Sequence, residues 1–191
     1  MNGTGQRIVA TAASNYMAVL ERNGFDPTRA RADVMAALKP MVDVHEELYE
    51  SAFLRPTTMA KSRLLYFDPE LLFLISEIGP EFTGPVHNHW YWNVLLICSG
   101  RMRFRWYRRL DDRSEPGVAK LELADERILC AGDVGMVAPP PHDVHSFEVL
   151  DEDTWLITVA PCPEPEMRQF YDVDKGTYVN CTFDEARART A

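Results

Sequence analysis

The chain has 191 residues, of which 46% are hydrophobic and 26% charged, and these ordinary globular values exclude a disordered or fibrous protein. The length suits one domain with a single core. The 20 Lys and Arg residues are outnumbered by 29 Asp and Glu, and the net charge of −9 disfavours nucleic acid as a partner because it repels phosphate.

No apolar run approaches the roughly 18 residues of a membrane span, so we expect no membrane partner. The N-terminus lacks a basic start followed by an apolar core, so we expect no signal peptide and a cytoplasmic location. The cysteines form no C-x-x-C zinc motif, and in a reducing compartment we expect free thiols. They are Cys98, Cys130, Cys162 and Cys181.

Residues 1–54 are predicted to form a helical layer. Asp26 followed by Pro27 is typical of a helix start, because aspartate caps the helix and proline suits its first position. Pro40 is expected to end that helix, and a further helix is predicted over residues 42–54.

The pattern changes near Arg63, and residues 55–191 are predicted to form a β-domain with a C-terminal cover segment. Its short aromatic and β-branched runs are separated by Gly, Pro and Asp, as in an all-β barrel or sandwich. Residues 101–106 alternate arginine with apolar side chains, which places one face of a strand on a core. We therefore predict a mainly β protein in which helices and barrel form one structural unit.

Four of the five histidines form two pairs, His87 with His89 and His142 with His145, whereas His45 is expected on a helix surface. Histidines two residues apart on a strand point to the same face and can bind one metal ion. A third imidazole from a distant strand would leave coordination positions open. The alternative is a polar surface patch, because short motifs produce false matches.

The residues around the first pair form an extended motif. His87-x-His89 is followed by three residues and Asn93, then by six residues and Gly100. This block resembles the first motif of the cupin superfamily, in which many members have glutamate where this chain has Asn93.

The second pair lies in a similar setting. Gly132-Asp133 is followed by a short apolar run, three consecutive prolines at 139–141, and His145. This block resembles the second cupin motif, and the glycines suit tight turns between strands.

The resemblance covers about residues 63–160. It implies a cupin double-stranded β-helix, or jelly-roll barrel, and a metal site made of His87, His89 and His145. Asn93 is a weak neutral donor, so we expect it to form hydrogen bonds behind the ligands.

A three-histidine cupin site with a helical layer resembles the cysteine dioxygenase type. That resemblance implies Fe(II) as the cofactor, and O₂ and a small thiol as substrates, with a sulfinic acid as product. Nickel, manganese and zinc stay open, because three imidazoles accept all of them.

The resemblance also implies an arginine that grips a substrate carboxylate, and Arg63 has the expected position ahead of His87. A guanidinium suits a carboxylate well, although a solvated strand-start arginine is the alternative. The chain departs from the family at residues 154–162, which contain neither the histidine nor the tyrosine of its proton relay. The catalytic residues are therefore unknown, and Tyr91 is a candidate for contact with substrate.

Two features leave alternatives open. His142 could replace His145 as a ligand, act as a base behind the ligands, or lie on the surface. The aromatic residues 90–92 favour a larger, flatter substrate if they face the site, and core or interface positions otherwise.

Three functions are consistent with these residues. The first is Fe(II)-dependent oxidation of a small cysteine- or mercaptopropionate-like thiol. The second is a three-histidine cupin oxygenase that cleaves a C–C bond in a non-thiol metabolite, and the third is a metal- or ligand-binding cupin without turnover. Pairing through barrel edges would make the protein a homodimer.

Overall fold

The computed structural model describes residues 3–54, 62–163 and 165–190, which contain four α-helices, two short 3-10 helices and twelve β-strands. The helices are α1 (Gly3–Arg22), α2 (Arg31–Leu38), α3 (His45–Ser51) and α4 (Phe183–Thr190), and the 3-10 helices are Pro27–Ala30 and Lys39–Met41. The strands are β1 (Phe53–Leu54), β2 (Ser62–Phe67), β3 (Leu71–Ile78), β4 (Thr83–Asn88), β5 (Asn93–Ser99), β6 (Met102–Arg109), β7 (Leu121–Leu129), β8 (Val134–Val137), β9 (Val144–Val149), β10 (Thr154–Pro161), β11 (Arg168–Asp172) and β12 (Thr177–Cys181).

The N-terminal helices follow the capping signals in the sequence, with one exception. The Asp26 side chain accepts a hydrogen bond from the Thr28 N–H at 3.0 Å and starts the second helical segment. The helix predicted over residues 42–54 is shorter, because α3 ends at Ser51 and β1 follows. The backbone of β1 pairs with β2, and that pairing replaces the end of the predicted helix.

The twelve strands form two antiparallel six-stranded sheets, with orders β1-β2-β3-β10-β5-β8 and β12-β11-β4-β9-β6-β7. From β3 to β10 the chain changes sheet at every step except the β6–β7 hairpin, and strands from the start of this segment pair with strands from its end. This interleaving is the jelly-roll order, which cupins share. The predicted mainly β double-stranded β-helix with N-terminal helices is therefore confirmed.

The first sheet is buried on both faces, and β5 shows why. Val94 and Leu96 face the helical layer and join the core formed with α1, whereas Leu95 and Ile97 face the second sheet. A strand covered on both sides needs apolar residues at every position, as the run from 94 to 98 has.

The turn glycines and the free cysteines are as the sequence predicts. Gly100 and Gly132 have φ angles of +74° and +88°, the left-handed region that glycine enters without strain. All four cysteines are free. Within the described residues, no helix is both long enough and apolar enough to cross a membrane.

Candidate metal centre

Two neighbouring strands of the second sheet bring three histidines together. His87 lies on β4 and His145 on β9, and the antiparallel register places the two residues opposite each other. His89 follows directly after the end of β4, on the same side as His87. All three side chains are buried in the space between the sheets.

The imidazoles of His87, His89 and His145 converge on one point. The Nε2 atom of His89 lies 3.1 Å from Nε2 of His87 and 3.0 Å from Nε2 of His145. Nitrogen ligands about 2.1 Å from one ion, and at right angles to each other, would be about 3.0 Å apart. The cluster therefore has the spacing of three ligands on one face of a metal ion.

The protonation of His87 also suits a metal ligand. Its Nδ1 donates a hydrogen bond to the Pro85 carbonyl oxygen at 2.7 Å, which leaves a lone pair on Nε2. His89 cannot form a good hydrogen bond with both neighbouring Nε2 atoms, because one nitrogen carries either a proton or a lone pair. A cation at the centre satisfies all three nitrogens at once.

Burial keeps these imidazoles neutral, the form in which histidine binds metals. Burial, followed by the nearby charge of Arg168, lowers the pKa of His87 to about 3. The same two causes lower the pKa of His89 well below its ordinary value. Burial also lowers the pKa of His145, with smaller contributions from His87 and Arg168.

Arg168 is a site residue that sequence reasoning missed. It lies at the start of β11, and its Nη1 atom is 3.1 Å from Nε2 of His89. Strand β11 pairs with β4, where Phe170 lies opposite His87. The two aromatic residues at 170–171 are a weak strand signal, and nothing local indicates that this strand joins the histidine strand. An anion bound beside the histidines would face this guanidinium.

The cluster opens into a cavity of about 870 Å³ between the two sheets. Asn93 is buried and faces this cavity, as do Thr158 and Phe147. Arg168 is the only Lys or Arg among the described residues that line it, and Glu166 and Asp184 are the only carboxylates.

Arg63, expected to grip a substrate carboxylate, is not brought to this cavity. Its Nη1 donates to the Tyr49 carbonyl oxygen at 2.9 Å, and its guanidinium lies 4.0 Å from the centre of the Tyr49 ring. Strand alternation is the cause, because the next residue, Leu64, lines the cavity and Arg63 therefore faces the helices.

Tyr91 and His142 are also placed away from the three histidines. Tyr91 is 50% exposed and borders a separate groove beside α1 together with Trp92. His142 is exposed and borders a different depression with Trp106. His45 begins α3, among the helices that cover the first sheet.

Asn88, between the two histidines of the first motif, joins three parts of the site. Its Nδ2 donates to Oδ2 of Asp143 at 3.2 Å, and its Oδ1 accepts from the Gln169 N–H at 2.8 Å. The His89 N–H also donates to the Asp143 carbonyl oxygen at 2.9 Å. One buried side chain thus connects the histidine strand to the loop before His145 and to the residue after Arg168.

We expect Asn88→Ala to weaken metal binding about 10- to 100-fold, the usual effect of removing a group that orients metal ligands. The variant loses both hydrogen bonds and leaves the Asp143 carboxylate without one of its partners. Competition with a chelator of known affinity measures the effect, and Asn180→Ala, on the exposed face of β12, is the matched control. An unchanged metal dissociation constant in a folded Asn88→Ala protein would show that the connection does not position the ligands.

No family model matches the sequence, and no curated protein matches it. Solved structures with a similar fold include KdgF from Halomonas sp. (16% identity, 59% of this chain and 88% of that chain, TM-score 0.42). Others are an RmlC-like cupin from Shewanella frigidimarina (19%, 59% and 85%, 0.43) and a hydroquinone 1,2-dioxygenase from Sphingomonas sp. (9%, 56% and 67%, 0.41). The strand order of the two sheets establishes the fold, and the activities of these proteins are not transferred to this chain.

Proposed function

We propose that this protein is an Fe(II)-dependent dioxygenase that oxidises a thiol bearing a carboxylate to the sulfinic acid. The observation that carries the proposal is the position of the Arg168 guanidinium, 3.1 Å from a nitrogen of the three-imidazole cluster. An anionic substrate held by Arg168 has its reacting end beside the histidines. The resemblance of the two histidine motifs to the cysteine dioxygenase type favours sulfur as the reacting atom.

The overall reaction balances without a further reductant. A thiolate and O₂ give a sulfinate, so the O–O bond breaks, two S–O bonds form, and sulfur loses the four electrons that oxygen gains. Bound Fe(II) supplies the chemistry that brings sulfur and oxygen together, and three neutral ligands leave coordination positions for both.

The residues of this chain bind and orient the substrate. Arg168 offers parallel N–H donors to a carboxylate, a geometry that fixes its direction as well as its position. The Pro85 carbonyl oxygen keeps the proton of His87 on Nδ1 and so keeps Nε2 available. The charge of Arg168, together with that of a bound metal ion, would favour the thiolate over the thiol.

A non-thiol oxygenase is the second candidate, and the size of the cavity favours it. A volume of about 870 Å³ greatly exceeds the need of a cysteine-sized molecule. A larger enolisable anion would use the same histidines and the same arginine.

Oxygen uptake by the Fe(II)-loaded protein tests the proposal. Cysteine, 3-mercaptopropionate, 2-mercaptohexanoate and cysteamine are offered separately, and the product is identified by mass spectrometry. We expect one O₂ consumed per sulfinate formed with at least one thiol carboxylate, and a much lower rate with cysteamine, which lacks the carboxylate. No uptake with any thiol, on protein shown to hold iron, would reject thiol oxidation.

A further inference from the structure

The cavity has two unlike walls. The second sheet contributes the three histidines and Arg168, whereas leucines of β2, β3, β5 and β10 form the wall opposite. We infer that the substrate carries an apolar body of several carbons in addition to its single carboxylate, and is larger than a cysteine-sized thiol acid. The identity of the reacting group rests on the proposed function, whereas the apolar body of the substrate is inferred from the cavity.

Three leucines of that wall stand apart from the packed cores. Leu72 and Leu74 are only 5% and 8% exposed, yet neither belongs to a core cluster among the described residues, and the same holds for half-buried Leu64. Their neighbours Leu71 and Phe73 point the other way and pack under the helices. Leu72 and Leu74 therefore line the cavity and do not join either packed core.

The histidines explain why, among the described residues, Leu64, Leu72 and Leu74 have no core partner on the second sheet. Towards the other end of the barrel, Met102 and Phe104 of the second sheet pack against Ile97 of the first and fill the interior. At the cavity end, His87 and His89 occupy the corresponding side. Imidazoles directed at a metal cannot also cover leucines, so the apolar wall is left to face the ligand.

The size and charge of the cavity fit this division. Its volume of about 870 Å³ is in the range of sites that enclose drug-sized ligands, roughly 300–1,000 Å³. A three-carbon thiol acid at Arg168 would leave most of the cavity to water, whereas an alkyl or aryl body would fill it and contact the leucines. The carboxylates of Glu166 and Asp184 disfavour a second negative charge on the substrate.

Binding of unreactive carboxylates tests the inference without requiring turnover. Zinc-loaded protein is titrated with butanoate, hexanoate and octanoate by calorimetry. Each added methylene that becomes buried is expected to tighten binding about fourfold, from about 0.8 kcal/mol per methylene. Affinities that do not change with chain length would overturn the inference.

Substitutions in the wall give a second readout. We expect Leu74→Gln to weaken octanoate binding at least tenfold and to leave butanoate binding nearly unchanged. Leu123→Gln, on the exposed outer strand β7, is the matched control. Thr158→Val, which makes the lining more apolar with little change of shape, should tighten octanoate binding, and it keeps the inference testable if Leu74→Gln does not fold. Octanoate affinities equal to wild type in both cavity variants would contradict the inference.

The two proposals fail in different ways. Chain-length dependence without oxidation of any thiol would leave the apolar substrate class standing and reject sulfur as the reacting atom. Oxidation of short thiols, without any gain from longer carboxylates, would support the dioxygenase and reject the apolar body.

Discussion

His145→Ala is expected to lower metal affinity by far more than 100-fold and to leave the protein without stoichiometric metal. His145 is the only one of the three ligand candidates that does not belong to the His-x-His pair, and its Nε2 closes the triangle with His89. Loss of a residue behind the ligands already costs about 10- to 100-fold, and removing a ligand itself costs more. Elemental analysis after Fe(II) loading and dialysis measures the change.

His142→Ala is the matched control, because His142 lies three residues away and is exposed. It should retain one equivalent of metal. A folded His145→Ala protein that keeps its metal would refute the assignment, and loss of metal from His142→Ala alone would transfer the ligand role to that residue. Circular dichroism of both variants establishes that they are folded, since His145 also stacks against Phe104 at a ring distance of 4.7 Å.

Arg168→Ala is expected to raise the KM for a thiol carboxylate about 10- to 100-fold, because a hydrogen bond to a charged group contributes about 1.5–3 kcal/mol. The KM for cysteamine should change much less, since that thiol has no carboxylate to bind. Arg168→Lys should recover part of the loss, because it keeps the charge but not the planar fork. Steady-state oxygen uptake measures kcat and KM for both substrates in each variant. Metal content is determined alongside because Arg168 is adjacent to His89.

Arg63→Ala provides the comparison for Arg168. Its guanidinium lies over Tyr49 and outside the cavity, so KM and kcat should equal the wild-type values. Equal changes of KM for the carboxylate and the amine substrates in Arg168→Ala would mean that Arg168 does not recognise the carboxylate. A raised KM in Arg63→Ala would restore the role first expected for that residue.

Local signals account for the parts of the fold that the sequence predicts well. The Asp26-Pro27 helix start, the left-handed glycines at 100 and 132, and the period-two strands each depend on neighbouring residues. The paired histidine motifs are also local, and they bracket the strands that return the chain to one place. Fold class follows from such elements because short connections allow few topologies.

The positions of the residues that sequence analysis misplaced depend on pairing between distant segments or on the alternation of side chains along a strand. Arg168 reaches the histidines only because β11 adds to the edge of the second sheet beside β4, a contact between segments about 80 residues apart. Arg63 and Leu64 differ by one position, and that step decides which of them faces the cavity. Tyr91 lies in the turn before β5, where the backbone no longer alternates, so its direction does not follow from that of His89.

X-ray absorption spectroscopy of the Fe(II)-loaded protein, at the iron edge and without substrate, tests the three-histidine centre most directly. We predict one iron per chain, with the scattering of three imidazoles and no sulfur ligand. Fewer than three imidazoles, or a sulfur ligand from Cys162, which also lines the cavity, would contradict the assignment of His87, His89 and His145 as the metal site.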